Sequence, residues 1–316
     1  GLDREGIEFV GINDISDSKT LTHLFKYDSI FGPFKGDVKP ENGHMVINGK
    51  PIKVFSERNP ANIPWHEVGA ELVAEASGVF RTKEQVSAHL GETVKKVIIT
   101  APAKGDVDLT TVLGANEEKY DHDKHNIISN ASCTTNCFAM IVKVMHENFG
   151  IVKGQMTTVH SYTNDQQILD APHSDLRRAR AAAMSIIPTG TGAASAIKLI
   201  FPELEGKMSA IALRVPTADV SVVDFNCEVE KNTTAEEINE KFKEAANGEL
   251  KGYLRYSDEE LVSSDFIGDP HSTIFDAPLT SVVKGNMVKV VGWYDNEYGY
   301  SSRVVDLIEY VGDRIK

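Results

Sequence analysis

Cysteine is scarce in this sequence of 316 residues, which has three, at positions 133, 137 and 227. So few and unevenly spaced cysteines cannot form the disulfide framework of a small secreted protein. We therefore expect a reducing, cytoplasmic environment in which the thiols stay available for chemistry. A zinc site is disfavoured as well, because Cys133 and Cys137 are four residues apart and no second ligand pair matches them. The sequence predicts no metal centre.

Long apolar runs and an excess of basic residues are also missing. The apolar stretches are short and interrupted, so we expect no membrane-spanning helix. The N-terminal "GLDREGIEFVG" lacks the basic-then-apolar layout of a signal peptide. The formal net charge of −13 disfavours non-specific nucleic-acid binding, because the phosphate backbone would be repelled. We expect neither membrane nor nucleic acid among the partners.

Strands and helices alternate over the first 132 residues. The Asn48-Gly49 pair, between two β-rich arms, predicts a hairpin over 44–56, and helical periodicity predicts a helix over 82–94. This alternation is typical of an α/β fold with a doubly wound, mostly parallel sheet of the Rossmann type. Apolar runs predict further strands at 7–14, 70–78, 95–103 and 125–132.

After residue 132 the pattern changes to long period-2 runs separated by loops. One helix is predicted over 133–150, ending at Gly150. A second is predicted over 234–246, where Thr234 and Glu237 have the spacing of a capping box. We predict a second, α+β domain with an antiparallel sheet over 133–296. The amphipathic segment 297–316 is assigned to the first domain, with residues 1–132.

Cys133 stands at the predicted start of a helix, in "NASCTTN". The partial positive charge and unpaired N–H groups of a helix N-terminus favour ionisation of a thiol, whose ordinary pKa is about 8.5. Cys133 is therefore a candidate nucleophile, although a small buried side chain explains the local sequence equally well. A catalytic thiol needs a base. His160 is the candidate among ten histidines, because it lies late in a β-run, directly before a loop.

Arg214 and the "TGTG" segment at 189–192 are candidates for binding anions. Arg214 lies within an otherwise apolar strand, where an unpaired charge is costly, so it needs either an anionic ligand or a salt bridge. The segment 189–192 offers backbone N–H groups that a ligand can approach closely, or it is a plain turn.

Five stretches of the sequence carry a resemblance to a known family: "SNASCTTNC", "TTVHSYTNDQ", "DLRRARAAAMSIIPTGTGAA", "ALRVPTADVSVVD" and "VGWYDNEYGYSSRV". Together they resemble the NAD-dependent, phosphorylating glyceraldehyde-3-phosphate dehydrogenases, and the resemblance extends over essentially the whole chain. It implies that Cys133 attacks the aldehyde carbon and that His160 takes the hydroxyl proton as hydride leaves for the nicotinamide. Inorganic phosphate would then cleave the thioester, giving 1,3-bisphosphoglycerate.

The resemblance also implies two anion sites and a homotetramer. Thr163 and Arg214 would hold the phosphate of glyceraldehyde 3-phosphate. The segment 162–184 would line the cofactor site and a subunit interface. The attacking inorganic phosphate would be bound by Ser132, Thr134, Thr191 and Gly192, with Arg178 nearby.

For the cofactor, the resemblance implies NAD. Asn13 and Asp14 end a predicted strand, where a carboxylate would accept hydrogen bonds from the adenosine ribose and repel the 2′-phosphate of NADP. Asn296 would bind the nicotinamide amide, with Tyr300 nearby. The adenine and ribose would be contacted by Arg58, Ser77, Phe80 and Thr100.

One motif of the family has no match in this sequence, namely the glycine-rich turn G-x-G-x-x-G that opens the first helix under the pyrophosphate. The strand before that turn is central in the order 3-2-1-4-5-6, and its loss would leave buried strand edges unpaired. We therefore expect that the natural protein has this βα unit, and that the 316 residues alone bind NAD weakly.

Three other functions remain open from the sequence. An erythrose-4-phosphate dehydrogenase would share the thiol, the base and the phosphate sites. A semialdehyde dehydrogenase would leave the "WYDNE" and "TGTG" stretches unexplained. A catalytically silent binding or surface protein would need none of the chemistry.

Overall fold

The computed structural model describes residues 1–315, and the chain divides into two compact units. Unit 1 comprises Gly1–Thr110, Tyr120–Asn130 and the chain from Val304 onward, and unit 2 comprises Thr111–Lys119 and Ala131–Arg303. The division predicted from the sequence differs from this one at 111–119, 131–132 and 297–303.

Unit 1 is built on parallel strands that form two four-stranded sheets, with the orders β1-β6-β5-β4 and β7-β8-β10-β9 in the numbering below. The first sheet joins the parallel pair β1–β6 to an antiparallel hairpin, and the second is parallel throughout. The helices are α1 (Ser18–Lys26) and α2 (Lys83–Val86). The strands are β1 (Gly11–Asn13), β2 (Tyr27–Asp28), β3 (Gly32–Pro33), β4 (Val38–Glu41), β5 (His44–Ile47), β6 (Lys50–Phe55), β7 (Leu72–Glu75), β8 (Lys96–Ile99), β9 (Leu109–Thr110) and β10 (Ile127–Ser129).

The doubly wound, parallel-strand prediction for unit 1 is confirmed in class and corrected in detail. The hairpin forms with Asn48 and Gly49 at φ 49° and 79°, the left-handed pair that a tight β-turn requires. The strand predicted over 7–14 is only β1, because pairing with β6 is confined to its three residues. The helix predicted over 82–94 is only α2, which passes into a 3₁₀ turn at Ser87–His89.

Parallel strands covered on both faces form the core of unit 1. Strand β8 reads Lys-Val-Ile-Ile, and all four of its residues are buried. Its neighbour β10 is also buried throughout. Continuous apolar burial of this kind is what a doubly covered parallel sheet demands, and it leaves the loops at the strand ends to carry polar side chains.

Unit 2 is built on a mixed sheet with the order β12-β13-β11-β14-β18-β16-β15, and β17 also pairs with β18. The predicted antiparallel sheet is corrected here, because β11 pairs with β13, and β15 with β16, in parallel. Its elements are α3 (Cys133–Phe149), β11 (Ile151–Ser161), β12 (Ile187–Gly190), α4 (Ala193–Ile200), β13 (Met208–Val215), β14 (Ser221–Val229), α5 (Ala235–Asn247), β15 (Leu254–Ser257), β16 (Thr273–Asp276), β17 (Ser281–Val283), β18 (Met287–Tyr294) and α6 (Tyr298–Gly312), which begins in unit 2 and ends in unit 1.

Helix α3 is the buried centre of unit 2. Its predicted limits are confirmed, with Ser132 as N-cap and Gly150 as C-cap at φ 71°. Its apolar side chains join the sheet in one core, where the rings of Phe138 and Phe225 meet edge to face at 4.9 Å. This packing fixes the start of the helix, and with it Cys133. Within the described residues, no helix has the length and apolarity needed to cross a membrane.

Candidate active site

Cys133 is the first residue of α3, directly after a strained turn. Ala131 has φ 54°, an uncommon conformation for a residue with a side chain, and it is buried. Ser132 then caps the helix, because its Oγ accepts a hydrogen bond from Thr135 N at 3.1 Å. All three cysteines of the chain are free thiols, but only Cys133 is partly exposed. The turn thus places one accessible sulfur at a helix N-terminus.

His160 is brought to this sulfur by the end of β11. The His160 Nε2 atom lies 3.5 Å from Cys133 Sγ, and Nδ1 lies 2.7 Å from the carbonyl oxygen of Ser161. A carbonyl oxygen can only accept, so Nδ1 carries the ring hydrogen and Nε2 has a free lone pair. The imidazole is therefore held in the tautomer that can take the proton of the thiol.

The surroundings keep both partners of this pair neutral. Burial raises the pKa of Cys133, although the charge of Arg214 and the N–H of Thr134 oppose the rise. Burial also lowers the pKa of His160 to about 3, and the charge of Arg214 adds to the effect. The prediction that the helix N-terminus lowers the pKa of the thiol is wrong in net direction, because desolvation outweighs it. His160 is therefore the group placed to take the proton of the thiol.

Arg214 stands beside His160 because the two residues are register partners in the parallel pair of β11 and β13. Its NH1 donates to Ser161 O at 3.2 Å and to Thr163 Oγ1 at 3.1 Å, while its Nε is buried without a hydrogen-bond partner. Among the described residues no carboxylate reaches ion-pair distance of Arg214, so the salt-bridge alternative is not found. A guanidinium in this position calls for an anionic ligand.

The residues expected to hold inorganic phosphate lie at the starts of two helices. The Oγ1 of Thr191 accepts from Ala193 N at 3.3 Å, and Gly192 occupies the N-cap of α4, without a capping side chain. Backbone N–H groups at such an end are suited to anions. The hydroxyl groups of Ser132 and Thr134 are already hydrogen-bonded within the protein, to the hydroxyl groups of Thr135 and Tyr294 respectively.

Arg178 is engaged in a different way from Arg214. Its Nε donates to Thr189 Oγ1 at 3.0 Å, its NH2 donates to Gly190 O at 3.3 Å, and its NH1 is paired with Asp165. Its positive charge still contributes to the low pKa of His160. Arg178 could therefore contact a phosphate only by giving up Asp165.

Asn296 follows β18 and is tied to β11 and β14. Its Oδ1 accepts hydrogen bonds from Ser161 Oγ at 2.7 Å and from Ser221 Oγ at 2.8 Å. With the amide oxygen occupied twice, the amide nitrogen is the atom that can donate to a ligand. Tyr300, near the start of α6, donates to Ala131 O at 3.1 Å.

The sequence analysis missed Tyr294. Its hydroxyl group lies 2.9 Å from both Thr134 Oγ1 and Thr158 Oγ1, and its ring packs edge to face against His160 at 5.9 Å. It is also the largest side chain that is almost fully buried. A signal was present, because a buried tyrosine needs a partner for its hydroxyl group and threonines occur in both neighbouring motifs.

The residues expected to bind adenosine follow the carboxyl ends of parallel strands in unit 1. After β1, Asn13 exchanges two 2.9 Å hydrogen bonds with the backbone of Glu57, whereas Asp14 is partly exposed and its Oδ1 accepts from Ser16 N at 2.7 Å. Asp14 rather than Asn13 therefore has a group to offer a ribose. Arg58 is exposed.

The ends of β7 and β8 carry the remaining adenosine candidates. Ser77 N donates to Glu75 Oε1 at 2.8 Å, and Thr100 Oγ1 donates to Glu75 O at 3.1 Å. Phe80 packs against the unit 1 core. Polar groups and an aromatic ring at the carboxyl ends of parallel strands are where this type of fold binds a dinucleotide.

A cysteine–histidine pair occurs in hydrolases as well as in oxidoreductases, so it does not define the class alone. Unit 1 adds the sheet architecture and strand-end polar groups of a dinucleotide site, which a hydrolase does not need. Within unit 1, the partly exposed Asp14 carboxylate fits the adenosine ribose of NAD. Within unit 2, the Asn296 amide nitrogen is left to donate to a ligand. The chain is thus an NAD-dependent oxidoreductase.

Comparison with known proteins agrees with this class. Residues 132–296 match the family model "Glyceraldehyde 3-phosphate dehydrogenase, C-terminal domain", and residues 1–83 match "Glyceraldehyde 3-phosphate dehydrogenase, NAD binding domain". The chain belongs to the glyceraldehyde-3-phosphate dehydrogenase family. Because the second match begins at residue 1, the comparison does not support the expectation that a glycine-rich βα unit is missing.

Full-length relatives are similar throughout. Glyceraldehyde-3-phosphate dehydrogenase 1 of Bacillus cereus is 56% identical over 310 residues, covering 98% of this chain and 92% of the relative. Glyceraldehyde-3-phosphate dehydrogenase of Geobacillus stearothermophilus is 56% identical over 313 residues, covering 99% and 93%. Glyceraldehyde-3-phosphate dehydrogenase 2 of Streptomyces avermitilis is 55% identical over 309 residues, covering 98% and 92%.

Proposed function

We propose that this chain oxidises glyceraldehyde 3-phosphate to 1,3-bisphosphoglycerate, using NAD and inorganic phosphate, through a thioester on Cys133. The observation that carries the proposal is the 3.5 Å approach of His160 Nε2 to Cys133 Sγ, beside Arg214, which has no carboxylate partner within residues 1–315. Cys133 and His160 provide a nucleophile and a base, and Arg214 provides a binding group for a substrate that carries a phosphate.

Substrate binding begins at Arg214. Its Nε and NH groups present the planar set of donors that suits a phosphate, and Thr163 Oγ1, at 3.1 Å from NH1, adds a hydroxyl group at the same place. An anion here also cancels the positive charge that helps to lower the pKa of His160. Binding of the substrate phosphate thus makes His160 a stronger base when it is needed.

Cys133 then forms the covalent bond. The thiol proton passes to His160 Nε2 while the sulfur bonds to the aldehyde carbon, and His160 then gives that proton to the carbonyl oxygen, which becomes the hydroxyl group of a hemithioacetal. A bound NAD would supply the acceptor for the hydride that leaves this carbon. His160 takes the hydroxyl proton in that step, so the carbon–oxygen double bond re-forms as a thioester.

Phosphate completes the reaction at the second group of anion donors. Thr191, Gly192 and the start of α4 are suited to hold it, and Arg178 can join them if it leaves Asp165. An oxygen of the phosphate bonds to the thioester carbon and the carbon–sulfur bond breaks. The sulfur recovers its proton from His160, which restores the starting pair.

NAD is favoured over NADP because Asp14 follows β1 with a partly exposed carboxylate. That group can accept hydrogen bonds from ribose hydroxyl groups, and it repels a 2′-phosphate. The oxygen of Asn296 is held by two serine hydroxyl groups, so its nitrogen is suited to donate to the carboxamide of the nicotinamide.

A homotetramer in the cytoplasm is part of the proposal. It is supported by large apolar side chains in the segment 162–186, between β11 and β12, that are between 68% and 83% exposed, more than an isolated surface normally shows. Sedimentation equilibrium tests the tetramer, and a monomer at micromolar concentration would contradict it. The side chains are Ile168, Leu169, Leu176, Met184 and Ile186.

The experiment is an assay of NADH formation from glyceraldehyde 3-phosphate, with and without phosphate, compared with erythrose 4-phosphate. We expect higher kcat/KM with glyceraldehyde 3-phosphate and a requirement for phosphate. A preference for erythrose 4-phosphate would overturn the substrate assignment. If Cys133 and Cys227 react equally with iodoacetamide and no NADH forms, the chain is a silent protein instead.

A further inference from the structure

A pair of buried carboxyl groups lies next to Asn296 and has no part in the reaction described above. Asp219 is 3% exposed and stands in the connection between β13 and β14, while Asp295 is 1% exposed and directly precedes Asn296. Two aspartates buried together are costly if both are ionised. The pair therefore needs either a cation or a proton.

Asp295 is surrounded by hydrogen-bond donors. Its Oδ2 accepts from Gly268 N at 2.7 Å, and its Oδ1 accepts from Glu297 N at 2.9 Å and from Tyr298 N at 2.7 Å. Three N–H donors, two of them at the start of α6, thus engage the Asp295 carboxyl group.

Asp219 has the opposite surroundings. Neither of its oxygens makes a hydrogen bond of normal geometry to a donor in the described residues. Burial raises the pKa of Asp219 to about 7, opposed by the N–H of Val220 and reinforced by the nearby carboxylates of Asp295 and Glu297. A protonated Asp219 can donate its O–H to Asp295, whereas an ionised one cannot.

No positive charge is available to replace that proton. Within residues 1–315 no lysine, arginine or histidine forms an ion pair with Asp219 or Asp295. The residues packed around the neighbouring Val220 are apolar, and the charged groups that act on Asp219 are the carboxylates named above. The packed residues are Leu261, Phe266, Ile274 and Trp293.

The backbone links this pair to Asn296. Val220 has φ 67°, a strained conformation for a β-branched side chain, and it is buried. The next residue, Ser221, donates from its Oγ to Asn296 Oδ1 at 2.8 Å, and the same Oγ accepts from Ser161 N at 3.1 Å. The stretch 219–221 is therefore tied to Asn296 by a hydroxyl–amide hydrogen bond, and the Asp219 carboxyl group lies within electrostatic reach of Asp295.

We propose that Asp219 is a positioning residue for the cofactor: its proton joins it to Asp295, and this contact holds Asn296 in place for the nicotinamide amide. The inference rests on the proposed function, which assigns that contact to Asn296. Loss of the proton places two negative charges side by side in an apolar surrounding. The stretches 219–221 and 295–296 then separate, Ser221 loses Asn296, and NAD binds less tightly.

The test is calorimetric titration of the full chain with NAD between about pH 6 and pH 9. In the wild type, the Kd for NAD should rise by up to about tenfold per pH unit above pH 7, because only the protonated fraction binds well. Asp219→Asn keeps a donor and cannot ionise, so its Kd should stay at the low-pH wild-type value throughout. Asp219→Ala should bind NAD weakly at every pH.

Asp224→Asn is the matched control, since Asp224 lies on β14, the strand that follows Asp219, and pairs with the partly exposed Lys289. It should follow the wild-type pH profile. The proposal is overturned if Asp219→Asn follows that profile too, or if Asp219→Ala binds NAD as the wild type does. Turnover of glyceraldehyde 3-phosphate by the wild type at pH 6 tests the proposed function separately, because a failure there leaves no NADH at any pH.

Discussion

In unit 2 burial acts on the polar groups at the centre of the site, whereas in unit 1 the candidate groups are exposed or already bonded to backbone. Arg214 and His160 show the first pattern, with an orphaned Nε and a pKa driven to about 3. Asn13 and Ser77 show the second. We infer from this difference that unit 2 provides desolvated side chains for the chemical reaction, whereas unit 1 provides groups at strand ends for cofactor binding.

Removal of the base should have the largest effect in this comparison. His160→Asn keeps a polar group of similar size but cannot take up a proton, so kcat should fall on the order of 10³-fold. Stopped-flow measurement of the NADH burst checks this, and KM for NAD should change little. A loss smaller than about tenfold would mean that another group serves as the base.

Removal of the Arg214 guanidinium should weaken recognition of the substrate phosphate without impairing the chemical step. Arg214→Leu should raise KM for glyceraldehyde 3-phosphate on the order of 10²-fold, because a bidentate, charge-assisted contact is lost. Glyceraldehyde without the phosphate provides the comparison, and its kcat/KM should change far less. Equal losses for both aldehydes would show that Arg214 acts on the reacting carbon rather than on the phosphate.

A substitution in unit 1 should have a weaker effect, confined to cofactor binding. Asp14→Ala should raise the Kd for NAD by about tenfold and reduce discrimination against NADP, since one ribose acceptor and one repulsive charge are lost. Glu57→Ala is the matched control, because its side chain is exposed and only its backbone bonds to Asn13. If both variants behave alike, Asp14 is not the ribose acceptor.

The smallest effect concerns stability. The pKa of Asp219, about 7 in the fold, lies above its ordinary value of 3.8, so the folded state holds this proton more tightly. Wild-type stability should therefore fall as pH rises from about 4 to about 7 and then level off. Asp219→Asn removes this dependence, so its Tm relative to that of the wild type should rise by several degrees over that range. Thermal melts at constant ionic strength check it, and parallel curves would show that Asp219 is ionised.

The sequence predicted most of what local rules govern. The Asn48-Gly49 hairpin, the start and end of α3 and the capping box of α5 all follow from short-range signals, and each is present. Cys133 and His160 were predicted from their places at a helix start and a strand end. Their 3.5 Å approach confirms that the two positions converge.

The predictions that failed concern features that depend on the three-dimensional surroundings of a residue. Whether β11 pairs with β13 in parallel cannot be read from either strand, yet this pairing places Arg214 beside His160. Helix position predicted a lowered pKa for Cys133, but burial reverses the direction. Asp219 gave no local signal, because its carboxyl group matters only through Asp295, 76 positions along the chain.

The central claim, that the Cys133 sulfur becomes covalently bonded to the substrate, is tested most directly by mass spectrometry of the protein mixed with glyceraldehyde 3-phosphate and NAD in phosphate-free buffer. We predict a 3-phosphoglyceroyl adduct on the Cys133 peptide alone, which disappears when inorganic phosphate is added. An unmodified Cys133 peptide under conditions that produce NADH, or an adduct on another residue, would contradict the account.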